Sequence, residues 1–257
     1  MSLVQAEIRN RIGTIAMSNY KKRNALGTGM IAEMLKALKH MEAKKAKVVV
    51  LRTSENNPVW SAGHDISELP KANQDPLPYN DPLEQLLRAI RHHPWPIIGM
   101  IHGSVWGGAC DLAMNCDMLI ADETCAFAVT PAKLGLPYNS SGIQNFLSRV
   151  PINIVREMFF TADLIDAERA LNFGLVNRLV SQEELESTTY QIAKTICSRS
   201  AQSNMAFKEQ ARILLEASSL SPETFERIQQ LRQDVYFGKD YNEGVEAFLE
   251  KRKPVFA

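Results

Sequence analysis

Residues 97–122 read IIGMIHGSVWGGACDLAMNCDMLIAD, and this stretch decides the fold class. Its first and last few residues form apolar runs with the length of buried strands, and two adjacent glycines precede a helical pattern between them. Similar short apolar runs recur through the first half of the chain, separated by helical patterns. This order of strand, loop and helix predicts an α/β core built from repeated units. The predicted strands lie at residues 12–17, 48–51, 97–101, 118–121 and 127–129.

The predicted helices rest on apolar stripes and on capping residues. Residues 28–41 place six apolar side chains on one helical stripe, and Asp81 followed by Pro82 is typical of a helix N-terminus. Asp240, with Glu243 three residues later, has the spacing of a capping box for the last helix. The other predicted helix starts lie at Asp166 and Ser221.

Almost all of the chain beyond Gly142 reads as helix. We place a boundary near residue 200, with an α/β core at residues 1–200 and a helical region at residues 201–257. The final helical patterns carry more apolar residues than a free helical tail could leave in water. Such helices usually pack on a neighbouring subunit or across a cleft, so we expect an oligomer.

The composition excludes several classes of protein. The 257 residues include 29 Lys and Arg against 29 Asp and Glu, so no net charge attracts a polyanion and no nucleic-acid partner is expected. No apolar run approaches the roughly 20 residues of a membrane span. Glu7 and Arg9 interrupt the segment where a signal peptide would need an apolar stretch. We therefore expect a cytoplasmic protein with no membrane partner.

The cysteines and histidines form no metal-binding pattern. The four cysteines are too far apart for a metal knuckle and too few to staple a chain of this length, so we expect reduced and mostly buried thiols. The five histidines show no HExxH or similar spacing, and no metal site is predicted. The cysteines are Cys110, Cys116, Cys125 and Cys197.

Three stretches depart from what the fold alone requires. Gly107 and Gly108 precede a helix and leave N–H groups free to bind an anion or a polarised carbonyl, although a plain strand-to-helix turn would use the same glycines. His64, which follows a strand, is by itself more often a structural residue than a catalyst. The stretches are SAGHDI at residues 61–66, HGSVWGGACD at 102–111 and LGLPYNSSG at 134–142.

The three stretches together, in this order and at these separations, resemble the crotonase (enoyl-CoA hydratase/isomerase) superfamily. The match covers nearly the whole chain and implies a spiral of repeated ββα units with a C-terminal helical region that forms trimers. Its further landmarks are RNAL at residues 23–26, TAD at 161–163, GLVN at 174–177 and FLEKRKP at 248–254.

In that superfamily two backbone N–H groups hold the thioester oxygen of an acyl-CoA as an oxyanion. By position, the resemblance implies that the N–H groups of His64 and Gly108 do this. Donors fixed by the backbone reorganise little as enolate charge develops, and loss of one typically costs about 100- to 1000-fold in rate. The other substrate contacts that the resemblance implies are Lys21, Lys22, Ala62, Gly63, Asp65, Ile66, Gly107, Thr130, Pro131, Asn139 and Lys251.

The polar groups around the oxyanion hole indicate a subclass. A hydratase of this superfamily needs two glutamates to activate and orient water. Asp111 occupies the first such position, with a side chain one methylene shorter than glutamate. The second position falls near Pro131, and residues 125–156 contain no Asp or Glu. We therefore expect no general base on that side of the pocket. The same loop offers Tyr138 and Asn139, which are donors suited to a carboxylate.

The sequence most resembles the superfamily members that decarboxylate methylmalonyl-CoA, although Asp111 stands where that resemblance leads us to expect Glu. The resemblance implies a lyase that converts methylmalonyl-CoA or malonyl-CoA to propionyl-CoA or acetyl-CoA without a cofactor or metal. Loss of CO₂ leaves an enolate for the oxyanion hole to stabilise. Tyr138 and His64 would hold the carboxylate so that the breaking bond overlaps the carbonyl π system.

Several alternatives stay open at this point. The acid that reprotonates the enolate is His64, Tyr138 or water, and Tyr138 is equally well explained as a loop anchor with a half-buried ring. The protein is otherwise an enoyl-CoA hydratase or isomerase with relocated catalytic groups, or a non-catalytic subunit that binds acyl-CoA. The implied assembly is a homotrimer or a dimer of trimers.

Overall fold

The computed structural model describes residues 2–55, 57–70, 74–217 and 221–256, which form two sheets and ten helices. The strands are β1 (Val4–Arg9), β2 (Ile12–Met17), β3 (Val48–Thr53), β4 (Val59–Ser61), β5 (Ile97–Ile101), β6 (Ser104–Trp106), β7 (Met118–Asp122), β8 (Ala126–Ala128), β9 (Ile165–Asp166) and β10 (Arg178–Val180). The helices are α1 (Thr28–Ala43), α2 (Pro82–Arg91), α3 (Gly108–Met114), α4 (Ser140–Arg149), α5 (Ile152–Thr161), α6 (Ala167–Asn172), α7 (Gln182–Ser198), α8 (Ala201–Glu216), α9 (Pro222–Tyr236) and α10 (Lys239–Leu249).

From β3 to β8, successive strands alternate between the two sheets. The larger sheet has the order β1-β2-β3-β5-β7-β10 and the smaller sheet has the order β4-β6-β8-β9. The pairs β3/β4, β5/β6 and β7/β8 therefore each add one strand to both sheets, and a helix follows each pair before the next strand. Within each sheet these strands pair in parallel. The predicted spiral of ββα units is thus confirmed.

The central strands each contain a continuous apolar run because the larger sheet is covered on both faces. In β3, Val49 belongs to the main core beneath α1, whereas Val50 packs with Leu185 and Ala193 of α7 on the opposite face. Neighbouring strand residues point to opposite faces, so a sheet covered on both sides buries each of them. Full burial of one such side chain is worth about 1.5 to 3 kcal/mol.

The predicted strands agree with the structure to within one or two residues, and the start of α2 is as predicted. Asp81 accepts hydrogen bonds from the backbone N–H groups of Leu83 and Glu84, with Pro82 in the first turn. The capping box predicted at Asp240 is wrong, because α10 begins two residues earlier and Gly238 is its N-cap.

The predicted core of residues 1–200 and the helical region that follows are in close contact. Arg232 of α9 donates to Asp75 Oδ1 at 2.7 Å and to the carbonyl of Leu77. The Tyr241 hydroxyl of α10 donates to the carbonyl of Pro70 at 2.8 Å. The last two helices therefore contact the core at Pro70, Asp75 and Leu77, before α2 begins.

Helix α8 lies against the core through polar contacts. Lys208 donates to Asp117 Oδ2 at 2.7 Å and to the carbonyls of Ile90 and Trp95. Its apolar side chains remain largely exposed, with Phe207 at 74% and Leu214 at 75%. The exposed apolar surface predicted for this region is therefore present in the single chain.

The cysteines are mostly buried, as predicted: Cys110, Cys116 and Cys125 are buried, and Cys197 is partly exposed. Among the described residues, no helix is long and apolar enough to cross a membrane. No group of three metal-ligating side chains occurs in the same part of the chain.

Candidate active site

A glycine turn after β4 brings the first and second motif stretches together. Gly63 has φ +81°, and a Cβ atom there would overlap the carbonyl oxygen of Trp106 and lie 3.0 Å from the nitrogen of Gly108. Only glycine tolerates both this dihedral angle and this approach. A Cβ on Gly108 would in turn lie 3.4 Å from the backbone nitrogen of His64. The two predicted oxyanion donors are therefore neighbours in space.

Both N–H groups lack a backbone acceptor for local reasons. Gly108 is the first residue of α3, and the first N–H groups of a helix have no partner within it. At the other segment, Leu26 donates to the carbonyl of Gly63 and accepts from the N–H of Asp65. This pairing skips His64, whose N–H has no acceptor among the described residues. Two fixed donors thus remain available for one oxygen atom.

The RNAL motif at residues 23–26 forms hydrogen bonds with the turn that carries Gly63 and His64. Asn24 is fully buried with φ +51°, and its side-chain amide donates to the carbonyl of Trp60 at 3.1 Å. The Ser61 hydroxyl donates to the Asn24 carbonyl at 2.7 Å, and the Ala62 N–H donates to the Arg23 carbonyl. The RNAL motif therefore has a structural role: it fixes the donor turn, residues 62–65, which carries the His64 N–H group.

Lys22 and Asp65, both predicted substrate contacts, form an ion pair of 2.7 Å. Burial alone would raise the pKa of Asp65, but hydrogen bonds from Lys22 and Ser67 hold it below its ordinary value. Asp65 also caps the short helical turn that begins at Ile66. The Lys22 side chain stays 58% exposed, so the ion pair lies at the solvent side of the turn.

A pocket of about 70 Å³ opens beside the paired N–H groups. Its walls come from the donor turn, from α2, from α3 and from residues 130–139. The predicted site residues that line it are Ala62, His64, Ile66, Gly107, Gly108, Thr130, Pro131, Tyr138 and Asn139. The others lie outside this lining: Gly63 and Asp65 within the donor turn, and Lys21, Lys22 and Lys251 on the exposed surface.

The Tyr138 hydroxyl is buried and has no hydrogen-bond partner among the described residues. The ring packs edge-on against Phe159 at 5.0 Å and Phe146 at 6.2 Å between centroids. Burial, and then the nearby Asp111 carboxyl, raise the pKa of Tyr138 well above its ordinary value. The phenol therefore keeps its proton. Its packing anchors the loop while its hydroxyl stays able to donate a hydrogen bond into the site.

His64 also lines the pocket. It is half-buried, and its Nδ1 lies 3.2 Å from the carbonyl oxygen of Asp65. That contact fixes the ring orientation without using Nε2. The second ring nitrogen is therefore available to a ligand.

Glu84 is the pocket residue that sequence reasoning missed. It lies in the first turn of α2, it is 5% exposed, and its carboxylate accepts from the side-chain amide of Asn139. The Ser141 hydroxyl also donates to it at 3.4 Å. The expectation that this side of the pocket lacks a carboxylate is wrong, because α2 carries Glu84 across to the loop of Asn139.

Asp111 lies one helical turn beyond Gly108 and is 3% exposed. Its Oδ1 accepts from the side-chain amides of Asn145 at 2.9 Å and Asn115 at 3.1 Å. Burial raises the pKa of Asp111 to about 6, against the opposing effect of these hydrogen bonds. Burial, followed by the charge of Asp111, raises the pKa of Glu84 to about 7. The pocket therefore holds two carboxyl groups that resist ionisation.

Comparisons with known proteins identify the family. The Enoyl-CoA hydratase/isomerase family model matches residues 7–257. Methylmalonyl-CoA decarboxylase of Escherichia coli (strain K12) is 44% identical over 247 residues, which cover 96% of this chain and 95% of that protein.

Solved structures give the same result. Methylmalonyl-CoA decarboxylase in complex with 2-nitronate-propionyl-CoA superimposes with a TM-score of 0.97 at 43% identity, covering 99% of this chain and 98% of that one. The complex with 2S-carboxypropyl CoA also gives 0.97, at 42% identity over 100% and 98% of the two chains. The chain therefore belongs to the enoyl-CoA hydratase/isomerase family, the crotonase superfamily.

Proposed function

We propose that this protein is an acyl-CoA lyase that decarboxylates methylmalonyl-CoA to propionyl-CoA, with malonyl-CoA to acetyl-CoA as the smaller analogue. The observation that carries the proposal is the pair of free N–H groups of His64 and Gly108 beside a pocket containing a buried, protonated Tyr138. Similarity to the decarboxylase of Escherichia coli supports the same substrate class.

The chemistry follows from the developing charge. When the bond to the carboxylate breaks, its electron pair moves into the thioester, and negative charge grows on the thioester oxygen. Two backbone donors already in place stabilise that oxygen without reorganisation. The His64 and Gly108 N–H groups are proposed to bind it.

The carboxylate must be held out of the thioester plane for this bond to overlap the carbonyl π system. Tyr138 is proposed as one donor, because its hydroxyl is buried without another partner in the described part of the chain. The His64 side chain, which lines the same pocket, is proposed as the second donor. Hydrogen bonds to an ionised group are stronger than those between neutral groups, so the two donors would both orient and bind the carboxylate.

The test is a panel of CoA thioesters analysed by mass spectrometry. Methylmalonyl-CoA, malonyl-CoA and crotonyl-CoA are incubated separately with purified protein, and the product masses are followed with time. Loss of CO₂ from methylmalonyl-CoA supports the proposal. Turnover of none of the thioesters would instead indicate a non-catalytic binding subunit.

Hydration of enoyl-CoA is the second candidate function, because Glu84 and Asp111 place two carboxyl groups on the pocket and water activation requires two. We expect it to be the slower reaction, since their raised pKa values reduce the fraction of ionised base. A kcat/KM for crotonyl-CoA hydration equal to or above that for methylmalonyl-CoA decarboxylation would contradict this expectation.

The proposal includes a homotrimer or a dimer of trimers, no cofactor besides the CoA of the substrate, and a cytoplasmic location. Exposed apolar side chains on α8 and α9, among them Phe207, Leu214 and Phe225, support self-association. Light scattering that gave a monomer at micromolar concentration would contradict the assembly.

A further inference from the structure

The acyl pocket has an apolar wall formed by α2 and by the segment before it. Pro76, Leu77, Leu83 and Leu87 line the pocket from there. A Cβ on Gly108 would lie 2.9 Å from Leu83 Cδ2, so this apolar wall begins beside an oxyanion donor. The carbon next to a thioester carbonyl held by that donor would lie within reach of the wall, and a methyl group on that carbon needs apolar contacts.

The segment before α2 contains no helix or strand where it forms the apolar wall. Side chains therefore have to pair the backbone groups that regular elements pair elsewhere. Asp75 Oδ1 accepts from the backbone N–H of Leu77 at 3.0 Å, which closes a short turn around the buried Pro76. Closer to α2, Arg88 donates to the carbonyl of Tyr79 at 2.5 Å.

Arg232 of α9 holds both ends of the turn at residues 75–77 with one nitrogen. Its Nη2 donates to Asp75 Oδ1 at 2.7 Å and to the carbonyl of Leu77 at 3.2 Å. The side chains of Arg232 and Asp75 are only 12% and 23% exposed, so little solvent screens the ion pair. Removing one partner of such a pair costs more than at the surface, because the remaining charge stays poorly solvated. Arg232 therefore fixes the turn from outside the pocket, whose lining does not include it.

We propose that Arg232 is a positioning residue that sets the preference of the site for a methyl-substituted malonyl thioester over the unsubstituted one. This inference rests on the proposed decarboxylation. Arg232 holds Asp75 and the carbonyl of Leu77, and this turn places Pro76 and Leu77 in the apolar wall. The wall then packs against the methyl group on the carbon that carries the carboxylate.

The small size of the pocket makes the position of the apolar wall important. Its volume is about 70 Å³, so a small shift of one wall changes the fit of a single methyl group. Hydrophobic pockets discriminate one such carbon by roughly 10- to 200-fold. Malonyl-CoA carries no methyl group on the carbon between its two carbonyl groups. Displacement of the wall should therefore slow the reaction of methylmalonyl-CoA and have little effect on that of malonyl-CoA.

The test compares kcat/KM for methylmalonyl-CoA and malonyl-CoA, which differ by that methyl group. Arg232→Gln removes the charge that binds Asp75, and the ratio of the two values should fall by about 10-fold, through a loss for methylmalonyl-CoA. Arg227→Gln, the same change at an exposed position of α9, is the matched control and should keep the wild-type ratio. An equal loss for both thioesters would give Arg232 a structural role only and overturn the inference, as would an unchanged kcat/KM for both.

Further variants show whether Arg232 acts through Asp75, and they carry the test if Arg232→Gln does not fold. Arg232→Lys keeps the charge and should retain part of the preference. Asp75→Asn keeps an oxygen for the Leu77 N–H but weakens the pair, so the ratio should fall here too. In the double variant Arg232→Gln/Asp75→Asn the ratio should fall no further than in Arg232→Gln, because changes to two partners in contact are not additive. Additive effects would show that Arg232 does not act through Asp75 and would contradict the proposal.

Binding measurements let this inference and the proposed decarboxylation fail separately. Propionyl-CoA and acetyl-CoA differ by the same methyl group and need no turnover, so their Kd values are compared by isothermal titration calorimetry. If wild type decarboxylates neither thioester but prefers propionyl-CoA, and Arg232→Gln loses this preference, the proposed reaction is wrong and the role of Arg232 stands. If wild type decarboxylates methylmalonyl-CoA and Arg232→Gln keeps both the kcat/KM ratio and the Kd ratio, only the role of Arg232 is wrong.

Discussion

Glu84→Gln should make the stability of the protein less sensitive to pH. In the folded protein burial and the charge of Asp111 raise the pKa of Glu84 from an ordinary 4.5 to about 7. The folded state therefore binds this proton more tightly than the unfolded state. The resulting stabilisation is fully present below pH 4.5 and is lost as the pH rises through 7.

The size of the effect follows from the two pKa values. With about 1.4 kcal/mol per pH unit, wild type should lose about 2.5 kcal/mol of unfolding free energy between pH 5 and pH 8 through this one group. Glutamine has no proton to lose, so the unfolding free energy of the variant should rise by that amount relative to wild type between pH 5 and pH 8. For a chain of this length the gain corresponds to about 5 to 10 °C in Tm.

Urea unfolding at pH 5, 6, 7 and 8 measures the difference, at one protein concentration because assembly also affects stability. Glu42→Gln, on the exposed side of α1, serves as the control and should follow wild type. If the curves of Glu84→Gln and wild type stay parallel from pH 5 to pH 8, Glu84 is already ionised in the folded protein and the reasoning about the buried pair is refuted.

Three further outcomes concern activity. Tyr138→Phe removes one charge-assisted hydrogen bond of about 1.5 to 3 kcal/mol and should lower kcat/KM for methylmalonyl-CoA by roughly 10- to 150-fold. The Kd for propionyl-CoA and the Tm should hardly change. An unaltered kcat/KM would show that Tyr138 does not bind the carboxylate. Gly108→Pro deletes one oxyanion donor at a position where helices tolerate proline, and it should lower the rate about 100- to 1000-fold. Gly108→Ala adds a Cβ but keeps the N–H group, so it should retain most activity. Equal losses in the two variants would indicate a steric effect near Leu83. Activity should survive avidin and EDTA, and loss after either treatment would show that a cofactor takes part.

The parts of the site that were predictable from the sequence are those that local backbone geometry creates. Gly63 is a glycine because a Cβ there would overlap the backbone of Trp106, and this requirement leaves a readable motif. Burial on both faces likewise leaves continuous apolar runs such as β3 and β5.

Glu84 was not predictable because its sequence position has an ordinary explanation. Three residues after the cap Asp81, a glutamate is typical of a first helical turn, where it favours the helix dipole. Its actual partner Asn139 lies 55 residues away in sequence, and no periodicity reports such a contact. The error at Asp240 has a similar origin, since α10 starts at the neighbouring turn of Gly238, and sequence spacing alone does not distinguish a cap from a first-turn acid.

The contacts of α10 have a consequence for truncated forms of the protein. Gly135 and Gly244 allow the turn at residues 131–135 and α10 to touch backbone to backbone, and the Tyr241 hydroxyl donates to the carbonyl of Pro70. Both contacts lie on or next to the pocket, so its outer wall depends on a helix far along the chain from the motif stretches. A truncation that keeps residues 1–238 retains His64, Gly108 and Tyr138 and lacks the support that α10 gives to the pocket. We therefore expect such a truncation to lose activity while each proposed donor stays in place.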